Sequence, residues 1–419
     1  MSGTNINLTL SYATLEEFES TYNNPNVFNQ LNAVRCSCGQ YMEMNPETVT
    51  VDIATYHFEI VGCPILKCSC GHRQLCPDIP QEVYMSYFKL MENGCNTCRL
   101  TMNSDIKYEF AKNLDFKYDS RDLSIPGLGV DADPTNPKGF SCPVFFDRKV
   151  LYNFFFDENY ELDFACESYG TIAKVGTDGW PYEWKIVFGI NSNNKVVMFL
   201  GDLDQIDSHD KSAFWLKSYN VESDHCLIDA ELYRAQIQCI FSDPIVEKRI
   251  LSLRNLFFKK ISEKYGINLF HLENEVEIKG KSIQKPINYS EQELKENIIT
   301  LDGLLNEGIN CEELRNLYAQ IISPPPQNLK SLKTRKLLQG IIAHYSNEED
   351  AKQIISPLFY LNDLRVCFAH LIPQEEVDSC KATIMEAFGL ASFTEYQKLY
   401  TILLDKLYYL YRYLNIIEI

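Results

Sequence analysis

The chain lacks any run approaching 20 uninterrupted apolar residues, about the length that a membrane-spanning helix requires. Its first residues, Met-Ser-Gly-Thr-Asn-Ile-Asn, lack the basic start and the apolar run of a secretory signal. Positive charge is also scarce, because 39 Lys and Arg face 57 Asp and Glu and leave a net charge of -18. Binding to free duplex nucleic acid normally rests on many Lys and Arg contacts to phosphate, so this composition disfavours it. These absences predict a cytoplasmic protein that does not enter a membrane.

Cysteine, in contrast, is abundant, with 15 residues in the chain. A cytosol keeps thiols reduced, so metal binding explains clustered cysteines better than disulfides do. Eight of them fall in one segment: Cys36, Cys38, Cys63, Cys68, Cys70, Cys76, Cys95 and Cys98. The other seven are scattered singly, as buried small hydrophobic residues are.

The sequence Cys-Ser-Cys-Gly occurs twice, at Cys36 to Gly39 and at Cys68 to Gly71. A tight turn with Gly after the second Cys directs two thiolates to one point, and two such turns complete a tetrahedral zinc site. We therefore expect one zinc ion on Cys36, Cys38, Cys68 and Cys70, as in a zinc ribbon. A second site would join Cys95 and Cys98 to Cys63, Cys76 or His72. Four thiolates leave no position for water, so the zinc is expected to be structural; the alternative is a set of buried cysteines without metal.

Strand signals dominate the first half of the chain. Residues 48–61 form a β-rich run among the cysteines, and two apolar runs, 185–190 and 195–200, flank the Asn-rich tetrad 191–194. Two such runs around a turn predict a hairpin. Residues 120–140 are rich in Gly, Pro, Asp and Asn, which predicts a linker or a long loop.

Helical periodicity dominates the second half. From Tyr289 onward, apolar residues recur at helical spacing in the segments 291–307, 329–345, 350–371, 374–388 and 393–415. A chain of 419 residues exceeds what one hydrophobic core usually organises. We therefore expect an α+β multidomain protein with a zinc-ribbon module in residues 1–110, a β-rich α+β middle domain in 111–288 and an all-α domain in 289–419.

The excess of acidic residues lies mainly in the middle of the chain. Asp202, Asp204, Asp224 and His225 follow the predicted hairpin, and carboxylates with a histidine at the end of a strand can hold a divalent cation for phosphoryl chemistry. The alternative is a solvated connector with helix caps. Residues 185–240, with Gly-Asp-Leu at 201–203 and Ser-Asp-His at 223–225, resemble a segment of uncharacterised bacterial proteins. That resemblance implies a bacterial source and no particular activity.

An Arg and a His interrupt the apolar helical segment 350–371. Arg365 and His370 are five positions apart, Asn362 and Asp363 precede the Arg, and Pro373 follows the His. The helix is therefore expected to end just after His370, where its dipole favours a protonated imidazole. In the alternative interpretation, Arg365 pairs with a buried acid and His370 is an ordinary helix-end residue.

This pattern resembles the Arg-x4-6-His signature of the HEPN superfamily, small helical domains found in many bacterial toxins and defence nucleases. The resemblance implies metal-independent RNA cleavage at a site that usually forms across a homodimer. Arg365 would bind the scissile phosphate, His370 would move protons, and Asn362 or Asp363 would be the accompanying polar residue. The residue types suit this chemistry, because guanidinium matches phosphate bidentately and imidazole titrates near neutrality.

The sequence thus favours a HEPN-type endoribonuclease or RNA-binding effector of a bacterial toxin or phage-defence system, with RNA, a second copy and a regulatory protein as expected partners. One alternative is a non-catalytic zinc-stabilised interaction or regulatory protein. Another is a metal-dependent nuclease that uses the Asp and His cluster near residues 202–225.

Overall fold

The computed structural model describes residues 8–22, 34–77, 79–129, 137–177, 179–369 and 373–417. The chain is an α+β protein that divides into two compact units, Met1–Asp243 and Pro244–Ile419. The domain boundaries predicted from the sequence lie after residues 110 and 288. Both sheets lie in the first unit, and the second unit is helical.

The first sheet carries the cysteine turns. Its strands are β1 (Leu8–Tyr12), β2 (Glu43–Ile53), β3 (Tyr56–Lys67), β4 (Arg73–Leu75) and β5 (Thr97–Thr101), in the order β1-β2-β3-β4 with β5 also paired to β3. Two helices accompany it, α1 (Leu15–Tyr22) and α2 (Ile79–Glu92). Strands β2 and β3 form an antiparallel hairpin in which Val51 pairs with Phe58, and both side chains are buried. The β-rich run at 48–61 is therefore this hairpin.

The second sheet is antiparallel, since each strand runs opposite to the strands beside it. Its order is β11-β6-β10-β9-β8-β7, formed by β6 (Pro143–Asp147), β7 (Tyr160–Cys166), β8 (Tyr169–Val175), β9 (Tyr182–Ile190), β10 (Lys195–Phe199) and β11 (Asn220–Val221). Four short helices lie between or after these strands in the chain: α3 (Val150–Phe155), α4 (Leu200–Leu203), α5 (Lys211–Tyr219) and α6 (Glu231–Gln236). The predicted hairpin around residues 191–194 is confirmed, because Val196 pairs with Ile190.

The segment predicted as a linker has structure of its own. Residues Ser120–Ser124 form a 3-10 helix in which Ser120, Asp122 and Leu123 are buried. Residues 130–136 of that segment lie outside the described residues. A short helix with three buried side chains is part of the unit and not a connection between domains.

The second unit has eight helices among its described residues. They are α7 (Val246–Tyr265), α8 (Glu273–Ser282), α9 (Glu291–Asp302), α10 (Cys311–Ile321), α11 (Thr334–Tyr345), α12 (Glu348–Ala369), α13 (Gln374–Phe388) and α14 (Tyr396–Ile416). A π-helical turn, Gly303–Glu307, directly follows α9 and is called the π-turn below. Helix α9 begins at a capping box, in which Ser290 and Glu293 each accept the backbone N–H of the other.

The last helix fills the core of its own unit. Leu399, Tyr400, Leu403, Leu407 and Tyr411 are all buried there. Because these side chains pack inside the helical unit, they do not form a free apolar surface for a second copy of the chain. Among the described residues, no helix has both the length and the apolar character needed to cross a membrane.

Candidate functional sites

Four cysteine side chains converge at one end of the first sheet. The sulfur atoms of Cys36, Cys38, Cys68 and Cys70 all lie within 4.8 Å of one another. Cys36 Sγ is 3.5 Å from Cys70 Sγ, and Cys38 Sγ is 3.4 Å from Cys68 Sγ. Four sulfurs at about 2.3 Å from a zinc ion would be about 3.8 Å apart, so the donor set fits a tetrahedral zinc site. The expected grouping of these four residues is confirmed, and they can hold a metal ion.

Two equivalent turns bring the four thiols together. In the first, the Cys36 N–H donates to the Gln40 carbonyl and the Gly39 N–H donates to the Cys36 carbonyl; in the second, Cys68, His72 and Gly71 repeat both bonds. Gly39 and Gly71 have φ values of 86° and 93°, a region that residues with a Cβ rarely adopt. The repeated Gly is therefore what closes each turn behind its two cysteines.

The pKa values of two of the thiols, Cys36 and Cys70, shift in opposite directions. The backbone N–H of Cys38 lowers the pKa of Cys36 to about 6. The backbone N–H of His72 acts the same way on Cys70, but the neighbouring thiols outweigh it and raise the pKa of Cys70 to about 12. Four thiolates cannot share this space without a cation, which is the chemical reason that a bound dication would displace their protons.

The second predicted zinc site is not assembled. Cys63 and Cys76 are buried, Cys95 is exposed and Cys98 is half-buried, and among the described residues none of the four belongs to a group of metal-capable side chains. The same holds for His72. Burial raises the pKa of Cys63 to about 12, as expected for a thiol that acts as a core hydrophobic residue.

The acidic residues after the hairpin also remain separate. Asp204 accepts the Ala111 N–H at 2.6 Å, Asp224 accepts the Asn191 side-chain amide at 3.1 Å, and the His225 ring pairs with Asp122. Burial raises the pKa of Asp202 to about 6. Asp202, Asp204, Asp224 and His225 therefore do not form one of the metal-capable groups of the described chain.

The His225 ring instead forms a hydrogen bond with Asp122, a residue that was not predicted to belong to a site. Its Nδ1 lies 2.7 Å from Oδ1 of Asp122, which is fully buried, and the Ser223 hydroxyl donates to Asp122 Oδ2 at 2.6 Å. Burial lowers the pKa of His225, but the hydrogen bond and charge of Asp122 outweigh burial and raise it. Because Asp122 and His225 are 103 positions apart and Asp122 lies in the presumed loop, no local pattern indicated the pair.

In the helical unit, Arg365 borders a cleft of about 580 Å³, called the Arg365 cleft below. The cleft is lined by His271, Asp302, Asn306, Glu307, Ile309, Asn310, Cys311, Glu312, Arg315, Lys333, Thr334, Arg335, Asn362 and Arg365. Two of the four predicted catalytic residues, Arg365 and Asn362, thus lie on one wall. Asp363 is next to them, and burial raises the pKa of its carboxyl group. His370 lies outside the described residues.

Arg365 is held by two acids. Its Nη1 donates to Asp302 Oδ2 at 2.6 Å and to Glu307 Oε1 at 2.7 Å. The Asp302 side chain is only 1% exposed, whereas that of Glu307 is 59% exposed. The pairing with a buried acid, which was the alternative interpretation of Arg365, is therefore present, and it fixes the guanidinium at the cleft wall.

Three further cations face the same cleft. Arg315, Lys333 and Arg335 line it. Helices α10 and α11 both begin at its wall, but the Asn310 side chain already accepts the N–H groups of Glu312 and Glu313 in α10, so only α11 begins without a side-chain cap. A helix N-terminus presents free N–H groups and a partial positive charge to an anion. The sequence offered a signal here, since Lys330, Lys333, Arg335 and Lys336 form a basic run in an acidic chain.

The two sites differ in chemistry. The cysteine cluster can hold a metal, and the Arg365 cleft has four cations and the uncapped N-terminus of α11, which suit phosphate oxygens. Comparison with known proteins does not indicate the activity of either site, because no family model, no curated protein and no solved structure matches the chain.

Proposed function

We propose that this protein is an RNA-directed effector, stabilised by zinc, whose helical unit binds RNA in the Arg365 cleft and cleaves it without metal. The observation that carries the proposal is the cleft itself, where Arg365 and Asn362 lie with Arg315, Lys333 and Arg335. A bacterial toxin or phage-defence system is the setting that the HEPN resemblance implies.

The charge of the cleft supports RNA as the ligand. Four cations and three acids line the cleft, so its charged side chains carry a net charge of +1; the cations are Arg315, Lys333, Arg335 and Arg365, and the acids are Asp302, Glu307 and Glu312. Guanidinium groups and helix N-termini both bind phosphate groups. A local excess of cations in a chain of net charge -18 suits a defined stretch of RNA better than nucleic acid in general.

The catalytic part of the proposal follows the resemblance. Arg365 would bind the scissile phosphate with Asn362 or Asp363 as a polar companion. His370 would accept the proton of the attacking 2′-hydroxyl and return a proton to the leaving oxygen, as an imidazole titrating near neutrality can. No step of this reaction involves the zinc, whose four thiolate ligands would leave no open position.

The zinc would stabilise the fold of the first unit. A zinc ion on Cys36, Cys38, Cys68 and Cys70 would join the turn before β2 to the turn between β3 and β4, as in a zinc ribbon. The binding energy of such a site is folding energy. The first unit would thereby present a stable surface to RNA or to a regulatory protein.

One observation favours a second candidate, a non-catalytic interaction or regulatory protein. The Arg365 guanidinium is already bonded to Asp302 and Glu307, so its role would be to stabilise the helical unit. In that case the Arg365 cleft would bind a partner or RNA without cleaving it.

The deciding experiment measures RNA binding and RNA cleavage separately, on the purified full chain with a chelator present that leaves the cysteine-bound zinc in place. We expect Arg335→Ala to weaken binding and to reduce the slope of log affinity against log salt by about 1, because a phosphate contact is lost. Lys352→Ala is the matched control, since Lys352 is exposed on α12 and lies outside the cleft. It should leave both values unchanged.

Cleavage distinguishes the two candidates. His370→Ala should abolish RNA cleavage and retain RNA binding. Binding by the parent protein without cleavage, even after purification from cells challenged with phage, would favour the non-catalytic candidate. Equal binding by the parent and Arg335→Ala would overturn the assignment of the cleft to RNA.

A further inference from the structure

A second cationic site in the helical unit is built around Arg254 of α7. Its side chain is buried, with 3% of the residue exposed. The guanidinium carbon lies 5.4 Å from the ring centre of Phe258 and 5.7 Å from that of Phe270. Arg remains protonated in proteins, so burial among aromatic rings places a permanent charge in an apolar environment.

The hydrogen bonds of Arg254 all go to neutral acceptors. Nη1 donates to the Leu304 carbonyl at 2.8 Å, and Nε and Nη2 donate to the side-chain oxygen of Asn255 at 3.0 and 2.7 Å. Within the described residues, no carboxylate pairs with Arg254. These three bonds use three of the five guanidinium N–H groups, so one N–H on Nη1 and one on Nη2 are left without an acceptor.

A pocket of about 230 Å³ adjoins this guanidinium. Its wall includes Lys248, Ser252, Arg254 and Asn255 of α7, Gly280 of α8 and Leu304 of the π-turn. The ionisable side chains among the described residues of this wall, Lys248 and Arg254, are both cationic, and the Asn255 amide can donate a hydrogen bond, whereas the Ser252 hydroxyl already donates to the Lys248 carbonyl. Among the described residues that line it, the wall therefore offers donors and positive charge and no acid.

We propose that this pocket binds a phosphate-class oxyanion and that Arg254 is its anchor. Buried charges in proteins are normally paired, and an anion here would pair the Arg254 charge, for which the described residues supply no carboxylate. Two N–H groups on adjacent guanidinium nitrogens match two oxygens of a phosphate. The volume accommodates a phosphate group but falls below the range of about 300–1,000 Å³ that is usual for larger ligands.

The site is separate from the Arg365 cleft but shares the π-turn with it. The Leu304 carbonyl accepts from Arg254, while Asn306 and Glu307 of the same turn line the cleft. Anion binding at Arg254 does not require RNA cleavage at Arg365, so the two proposals stand or fall independently.

The test is calorimetric titration of the full-length protein with inorganic phosphate at constant ionic strength. We expect one saturable site per chain and, for Arg254→Lys, an affinity about tenfold lower, because Lys keeps the charge but loses the planar fork. Lys259→Gln is the control, since Lys259 is exposed on the same helix and outside the pocket. Its affinity should equal that of the parent.

A second pair of variants tests the pocket without altering Arg254. A Cβ at Gly280 would have its nearest neighbour, Leu251 Cδ1, at 3.6 Å, so Gly280→Ala should fold and bind phosphate normally. Gly280→Leu should fill the pocket and abolish phosphate binding while leaving the circular dichroism spectrum unchanged. Repeating the titration with a nucleoside monophosphate shows whether the site takes a free phosphate or the phosphate of a larger molecule. No saturable binding by the parent, or equal binding by the parent and Gly280→Leu, would overturn the proposal.

Discussion

Arg365 on α12 and Asp302 at the end of α9 form an ion pair of 2.6 Å whose carboxylate is 1% exposed. They are 63 positions apart in the chain. The pair joins two helices beneath the proposed RNA cleft, so the same guanidinium contributes to stability and faces the site. Its two roles can be separated by experiment.

Removing Arg365 alone should destabilise the helical unit. Arg365→Ala leaves the buried Asp302 carboxylate without its cation, and we expect a loss on the order of 3 kcal/mol in the free energy of unfolding. Chemical denaturation followed by circular dichroism measures it. The double variant Arg365→Gln with Asp302→Asn removes both charges and should recover most of the loss. If Arg365→Ala unfolds at the same denaturant concentration as Lys352→Ala, the ion pair does not stabilise the protein.

The cysteine cluster should bind one zinc ion per chain. Cys36→Ser and Cys70→Ser should each lower the zinc content and destabilise or unfold the first unit, because the energy of a structural site is folding energy. Elemental analysis of freshly reduced protein is the measurement. Cys95→Ser is the matched control, since Cys95 is exposed and outside the cluster, and it should keep its zinc. Less than half an equivalent of zinc in the parent would contradict the assignment.

His225 should make stability depend on pH. Asp122 raises the pKa of His225 in the folded state above its ordinary value of 6.5. A raised folded pKa means that the folded state holds this proton more tightly than the unfolded state does. The stability that protonated His225 contributes is therefore complete below about pH 6.5 and is lost as pH rises through the folded pKa.

The measurement is the melting temperature of the parent and of His225→Asn between pH 5.5 and about 8.5, a range that spans the ordinary titration of His. Asn is the suitable replacement because His225 has a φ of 59°, which Asn tolerates. The stability difference between the two proteins should shrink as pH rises. His209→Gln, at an exposed histidine, should follow the parent. A difference that is constant with pH would show that the pair does not titrate in this range.

The homodimer remains a prediction from the HEPN resemblance. The exposed aromatic residue of α14 is Tyr409, at 58% exposure, and a contact through the C-terminal helices would cover it. Light scattering at micromolar concentration should give the mass of two chains, and Tyr409→Arg should give one. A parent protein that is already monomeric would count against a composite site across two chains.

Several features followed from residues close together in the chain. The repeated Cys-Ser-Cys-Gly sequence indicated the four clustered cysteines, the two apolar runs around residues 191–194 indicated the β9–β10 hairpin, and helical periodicity indicated the C-terminal helices. Each of these depends on turn chemistry or on a repeat of two to four residues, which a sequence displays directly.

Other features depended on which elements meet. The Asp122–His225 pair, the Asp302–Arg365 pair and the unit boundary at 243 were decided by the tertiary structure. A carboxylate can pair with any cation that folding brings within about 4 Å, and nothing in its neighbouring residues specifies the partner. For the same reason the cysteines between residues 36 and 98 predicted metal binding, while only packing decided that Cys63 and Cys76 lie in the core instead.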